Sequence, residues 1–290
     1  SRYIGGELNS IVKAHTDQTV SFAFCFPDSY EVGMSNLGLK ILYHALNSHP
    51  HIVCERVFAP WDDMESEMRK HGYPLFALES KKNVSDFDIV GFTLQTELSY
   101  TNILNMLDLS GIPLLSRDRD SLSPLVIAGG SCAYNPEPLA EFIDLFVLGE
   151  GEEVTIELAE LFKEIKNKKG SKSEFLLKAS KISGIYVPSL YDTQYDESGK
   201  IKSFTPNCEG VPAVVSKRII REMDSAPFPE SFILPYCDIV HDRAMLEVFR
   251  GCIRGCRFCQ AGFIYRPVRE TSPAVLDAQA EKLMASTGYD

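Results

Sequence analysis

From Thr19 to Asp144, short apolar runs rich in β-branched and aromatic residues alternate with longer stretches whose apolar positions recur at helical spacing. Short runs that are apolar throughout suit strands buried on both faces, and their alternation with helical periods is the signature of βαβ units. The pattern predicts strands at Val20–Phe26, Val53–Phe58, Phe87–Phe92, Leu125–Ala128 and Leu145–Leu148. Between them it predicts helices at Leu37–Asn47, Asp62–His71, Ser99–Leu109 and Pro136–Phe142, with another at Glu152–Lys166 after the last strand. That order predicts an α/β fold: an open, doubly wound parallel sheet whose ligand sits beyond the C-terminal ends of the strands.

The pattern changes after the sheet region. Lys163–Lys172, with Gly170 inside it, reads as a solvated helix end running into a loop. Gly184–Cys208 reads as short strands and turns, and Val214–Glu222 alternates as an exposed strand would. Pro227, Pro229 and Pro235 then break any helix before a new apolar strand, Met245–Phe249, and a helix at Pro273–Thr287. The predicted organisation is a Rossmann-like domain over 1–168, a connector with short strands over 169–243, and the start of a second domain over 244–290. No internal repeat of fixed period is apparent.

At 290 residues and 44% hydrophobic content the chain has enough apolar surface for a real core. Twenty-nine basic against 40 acidic side chains leave a formal charge of −11, the wrong sign for a general phosphate-backbone binder. No stretch approaches the ~20 apolar residues of a membrane span, and the N-terminus lacks the order of a signal peptide, so a cytoplasmic location is expected. In a reducing compartment eight cysteines do not form a disulfide framework, and those that cluster point to a metal. Cys25, Cys54, Cys132, Cys208 and Cys237 stand singly and read as small buried hydrophobes. The chain opens at Ser1 and stops at Asp290 inside what reads as a helix, so a fragment of a longer protein is expected.

Met245–Phe249 runs directly into Arg250-Gly251-Cys252-Ile253-Arg254-Gly255-Cys256-Arg257-Phe258-Cys259. Gly251 and Gly255 let the backbone wrap closely around a bulky centre. Arg250, Arg254 and Arg257 place positive charge beside the thiols, which favours thiolates. Three thiolate ligands saturate three irons of a four-iron cluster and leave one open for chemistry. The competing reading is a structural zinc, which wants four ligands in a tetrahedron and would have to recruit Cys237 or His241.

The spacing C-x3-C-x2-C with aromatic Phe258 before the last cysteine resembles the signature of radical S-adenosylmethionine (SAM) proteins. The resemblance implies a [4Fe–4S] cluster on Cys252, Cys256 and Cys259, with SAM bound at the open iron and Phe258 near its adenine. It implies reductive cleavage of SAM to methionine and a 5′-deoxyadenosyl radical. It also implies a partial (β/α)6 barrel with the cluster loop after its first strand, of which only the first βα unit is expected within this chain.

The loop after the first strand, Asp28-Ser29-Tyr30-Glu31-Val32-Gly33, resembles the cobalamin-binding D-x-H-x-x-G loop. Thr93-Leu94-Gln95 falls where an S-x-L strand end belongs, and Gly129-Gly130 follows the fourth strand. The order resembles cobalamin-binding-type radical SAM proteins, including an uncharacterised subgroup that opens with a segment like Arg2-Tyr3-Ile4-Gly5-Gly6-Glu7. It implies that Asp28, Tyr30, Gly33, Thr93, Gly129 and Gly130 face cobalamin. Tyr30 stands in place of the histidine, and a neutral phenol is a much poorer cobalt ligand than imidazole. Two readings therefore stand: cobalamin bound without a protein ligand, or the fold kept without the cofactor. In Gly149-Glu150-Gly151-Glu152 the acids either line the crevice or simply favour the helix N-terminus.

The functional expectation is a radical SAM enzyme acting by hydrogen abstraction or cobalamin-dependent methyl transfer, served by small-molecule cofactors and an electron-donor protein. The alternative is a zinc-stabilised nucleotide- or partner-binding protein without catalysis. RNA as a substrate rests on analogy alone. No catalytic acid–base pair is visible, and His44, His49, His51 and His71 read as surface or helix-end residues.

Overall fold

The computed structural model describes residues 1–289. Strands β1 (Val20–Phe26), β2 (Ile52–Phe58), β3 (Ile89–Thr93), β4 (Leu125–Gly129) and β5 (Leu145–Val147) form a parallel sheet, joined at one edge by an antiparallel β6 (Ile185–Tyr186). The order is β2-β1-β3-β4-β5-β6. Its helices are α1 (Tyr30–Met34), α2 (Leu37–Ser48), α3 (Asp62–His71), α4 (Tyr100–Leu109), α5 (Gly151–Asn167) and α6 (Lys172–Ala179). A hairpin of β7 (Tyr191–Tyr195) and β8 (Ile201–Pro206) follows, then the short pair β9 (Phe249–Arg250) and β10 (Arg269–Glu270), helix α7 (Ala261–Ile264) between them, and α8 (Pro273–Thr287). Among the described residues no helix is long and apolar enough to cross a membrane.

Strand periodicity divides the core in two. Val20, Phe22, Phe24 and Phe26 of β1 pack with Leu39, Tyr43, Phe162 and Phe175 on one face. Ala23 and Cys25 pack with Met68, Ile103 and Met106 on the other. Because β1 is covered on both sides, every residue of it is buried, which is why the sequence reads as a continuous apolar run. Each fully buried phenylalanine contributes roughly 1.5–3 kcal/mol of transfer free energy.

Four expectations change. The predicted helix Pro136–Phe142 is one short 3₁₀ turn, Glu137–Leu139, because Pro138 removes a helical donor. Lys172 opens α6, capped by Ser171, whose side chain accepts from the Glu174 N–H. The sheet thus gains α6 and β6 beyond residue 168. Val214–Glu222 forms no strand; only Arg218 bridges to Gly149. The predicted barrel strand Met245–Phe249 is reduced to Phe249–Arg250, paired antiparallel with β10, since no parallel neighbour stands beside it among the described residues. Helix α8 closes at Gly288, whose N–H bonds to the Met284 carbonyl.

Two adjacent charged residues, Glu55 and Arg56, lie inside buried β2. The Arg56 guanidinium donates to Glu79 at 2.6 Å and to both Glu7 oxygens at 2.9 and 3.2 Å. Tyr30 donates its hydroxyl to Glu7 at 2.9 Å. Burial pushes the Glu7 carboxyl up, but the Arg56 charge and hydrogen bonds more than offset this and hold it below its ordinary range. The N-terminal segment so anchored also binds the later chain: Asn9 donates to the carbonyls of Phe232 and Ser286, and Tyr236 donates to that of Gly6.

Buried Lys40 on α2 lies 4.3 Å above the Phe232 ring. Burial lowers its pKa from 10.5 to about 8, Asp242 opposing the shift and Arg56 adding to it. Between those two values the unfolded chain binds more protons than the folded one, so stability rises with pH, by up to about 1.4 kcal/mol per pH unit. Lys40→Met is expected to be more stable than the native protein at pH 7, and the advantage is expected to shrink from pH 8 to 10. Urea unfolding at pH 7, 8.5 and 10 checks this; a gap independent of pH refutes it.

Candidate functional site at the cysteine loop

β9 and β10 form the neck of a loop over 251–268 that carries all three clustered cysteines. Gly251, with φ +107°, makes the turn into Cys252; a Cβ there would stand 2.6 Å from the Pro267 carbonyl and 2.7 Å from that of Tyr265. Only glycine fits at that crossing. Gly255 meets nothing within 4 Å, so the wrapping expected of it is absent. The Cys259 N–H bonds to the Cys256 carbonyl at 3.1 Å, and α7 follows.

All three thiols are free; Cys256 is exposed, and Cys252 and Cys259 are half-buried. Phe258 is 93% exposed. Among the described residues no three Cys, His, Asp or Glu are gathered as metal ligands, so the loop is not closed around a centre. Its donor set of three soft thiolates on one short loop does fit an iron–sulfur cluster. The candidate fourth zinc ligands are engaged elsewhere. Cys237 packs against the main core, and the exposed His241 imidazole lies 2.9 Å from the Arg243 guanidinium, its backbone N–H bonded to the Ser35 hydroxyl. Of the single cysteines, Cys25 and Cys54 are buried as expected, whereas Cys208 is exposed.

The arginine expectation needs correction at Arg250. Arg250 is spent on carboxylates: it donates to Glu152 at 2.8 Å and to Glu247 at 2.7 and 2.9 Å. Arg269 holds Glu150 in a fork at 2.6 and 2.7 Å. Burial pushes the Glu150 carboxyl up, but the Arg269 hydrogen bonds, the Ile220 N–H and the Arg250 charge outweigh it, leaving the pKa below the ordinary carboxylate value. Glu153 and Glu157 take Arg218 in turn. The acids at the start of α5 therefore hold arginines. Gly149, φ +108°, lets the Arg218 backbone lie against it, where a Cβ would collide.

The residues expected to face cobalamin are split. Tyr30 is 1% exposed, tied to Glu7 and packed edge-on to Phe58, so it points into the core and away from the crevice. The cause is the partner that Glu7 offers for its hydroxyl. Gly33 is covered by the Phe58 ring. Gly129 ends β4 beside Val147, and Gly130 faces the Leu94 carbonyl. Asp28 and Thr93 line a cavity of about 370 Å³ with Asn36 and His241 at the β1/β3 switch point. The buried Thr93 hydroxyl has no hydrogen-bond partner there. Gly130 belongs to a second cavity, of about 280 Å³, bounded by Tyr134, Lys217, Arg250 and Tyr265. The two cavities adjoin, with Asn36 and Gln95 lining both.

Residues 38–188, just over half of the chain, match the family described as radical SAM proteins, N-terminal. The chain belongs to this radical SAM family. Proteins of this family in general use a [4Fe–4S] cluster and SAM. The matched stretch runs from α2 to just beyond β6 and stops short of the cysteine loop. An uncharacterised protein of Methanocaldococcus jannaschii is 26% identical over 249 residues, covering 85% of this chain and 42% of the relative. The chain thus spans about two fifths of the length of that curated relative. No solved structure matches.

What sequence reasoning missed in this radical SAM chain is the set of partners at the loop neck: Arg269, Glu247 and Lys217. Lys217 donates to the carbonyls of Ile264 and Arg266 on the return limb of the loop. No spacing rule links residues about 50 or 100 positions apart. The available signal was chemical: acids that open a helix and arginines that flank a cysteine loop each need a partner once half-buried.

Proposed function

We propose that the protein is a radical SAM enzyme in which Cys252, Cys256 and Cys259 hold a [4Fe–4S] cluster whose fourth iron is left for SAM. The carrying observation is three free thiols within eight residues on an irregular loop, in a chain of the radical SAM family. When bound, the cluster supplies the electron that splits SAM into methionine and a 5′-deoxyadenosyl radical. Phe258 offers an exposed apolar face for the adenine. The neck formed by β9 and β10 fixes where the loop sits, and the cavity bounded by Tyr134, Lys217 and Tyr265 lies on the seam between loop and sheet. An electron-donor protein is the partner this chemistry requires, in a reducing cytoplasm that keeps exposed thiols free. The burial of Tyr30, whose hydroxyl is taken by Glu7, leaves cobalt without a ligand at that position and favours hydrogen abstraction over cobalamin-dependent methyl transfer.

The test is anaerobic reconstitution of the full chain with iron and sulfide. Broad absorption near 400 nm with about four irons per chain is expected. A colourless protein carrying one zinc per chain overturns the reading.

A further inference from the structure

We propose that Glu150 and Glu152 are positioning residues for the cluster: from the start of α5 they clamp the neck of the cysteine loop through Arg269 and Arg250. The inference rests on the cluster reading above. In the ladder of β9 with β10, Arg250 stands directly opposite Arg269. Like charges opposed across a strand pair repel, and a two-residue ladder has little stability of its own. The pairing holds because carboxylates surround it: Glu150 takes Arg269 in a fork, and Glu152 and Glu247 take Arg250. All three acids and both arginines are largely buried, with Arg250 13%, Arg269 9%, Glu150 10% and Glu152 5% exposed at the side chain. Water therefore screens these pairs little.

Arg250 lies two residues before Cys252, and Arg269 ends the returning limb. Both limbs of the loop are thus fastened to one helix of the sheet domain, whose acids lie about 100 residues earlier in the chain. The clamp determines how the three thiols are presented, and its arginines, already neutralised, do not serve as counter-charges for the cluster. Outer partners of this kind typically change metal affinity by 10–100-fold when removed.

The experiment compares the full native chain with Glu150→Gln and Glu152→Gln. Amide hydrogen exchange without metal reads the clamp, and iron retention and the electron paramagnetic resonance line shape of the reduced cluster read its role. Expected for both variants are faster exchange over 249–270 with unchanged β1–β5, roughly tenfold weaker iron retention and a broadened resonance. Unchanged exchange overturns the clamp. Faster exchange with a native cluster signal overturns the positioning role and leaves a structural contact. A native chain that takes up no iron overturns the cluster reading itself. If Glu150→Gln fails to fold, Glu152→Gln decides by the same readouts.

Discussion

Truncating Arg56 to alanine lowers the free energy of unfolding by about 3–5 kcal/mol, because it leaves the buried carboxylates of Glu7 and Glu79 without a counter-charge. Arg56 is 0% exposed, so no water takes over its hydrogen bonds. Burial works against its charge, and Glu79 and Glu7 more than compensate. The loss spreads along the N-terminal segment, because Glu7 anchors residues whose neighbours hold Phe232, Tyr236 and Ser286. Replacing all three members by apolar residues of similar volume is expected to recover part of the stability, since desolvation of the ions is removed while the Tyr30 hydroxyl and the N–H of residue 56 lose their acceptors. Urea denaturation of the single and triple variants checks both statements; a single-variant loss below about 1 kcal/mol refutes the network.

Changing Cys256 to alanine is expected to abolish the absorption near 400 nm and reduce bound iron to a small fraction of about four per chain. The fold is expected to be indifferent to the change, within about 0.5 kcal/mol, since the thiol is exposed and belongs to neither core. Cys208→Ala provides the contrast: also exposed, but a lone thiol just after β8, it is expected to leave the iron content unaltered. Iron counts on the three reconstituted proteins decide. Retention of the full iron content by Cys256→Ala removes that residue from the ligand set.

The elements that were legible are strands buried along their whole length and helices with marked ends. The five parallel strands lie within two residues of their predicted positions, and α3 and α8 match at both ends. The apolar runs of the strands report burial directly, whereas the two helices are marked by their ends, acids first and bases last in α3, Pro273 opening and Gly288 closing α8. Helix α6 was legible in principle, because Ser171 and Glu174 precede an apolar run at capping-box spacing, yet the surrounding lysines suggested a loop. β6 was not legible: two residues carry no period, and β5 decides that they pair.

The sequence alone determined the α/β sheet and the cysteine spacing, because periodicity and short-range motifs are local properties of the chain. Tertiary structure decided the direction in which each polar side chain points. Tyr30, in a loop that resembles a cofactor-binding one, turns into the core because Glu7 and Arg56 meet there. Glu150 and Glu152, read as crevice lining or as helix-start acids, instead grip the cysteine loop because the fold delivers Arg250 and Arg269 to them. A buried charge must find a partner, and where that partner lies in the sequence is set by how the chain closes in space.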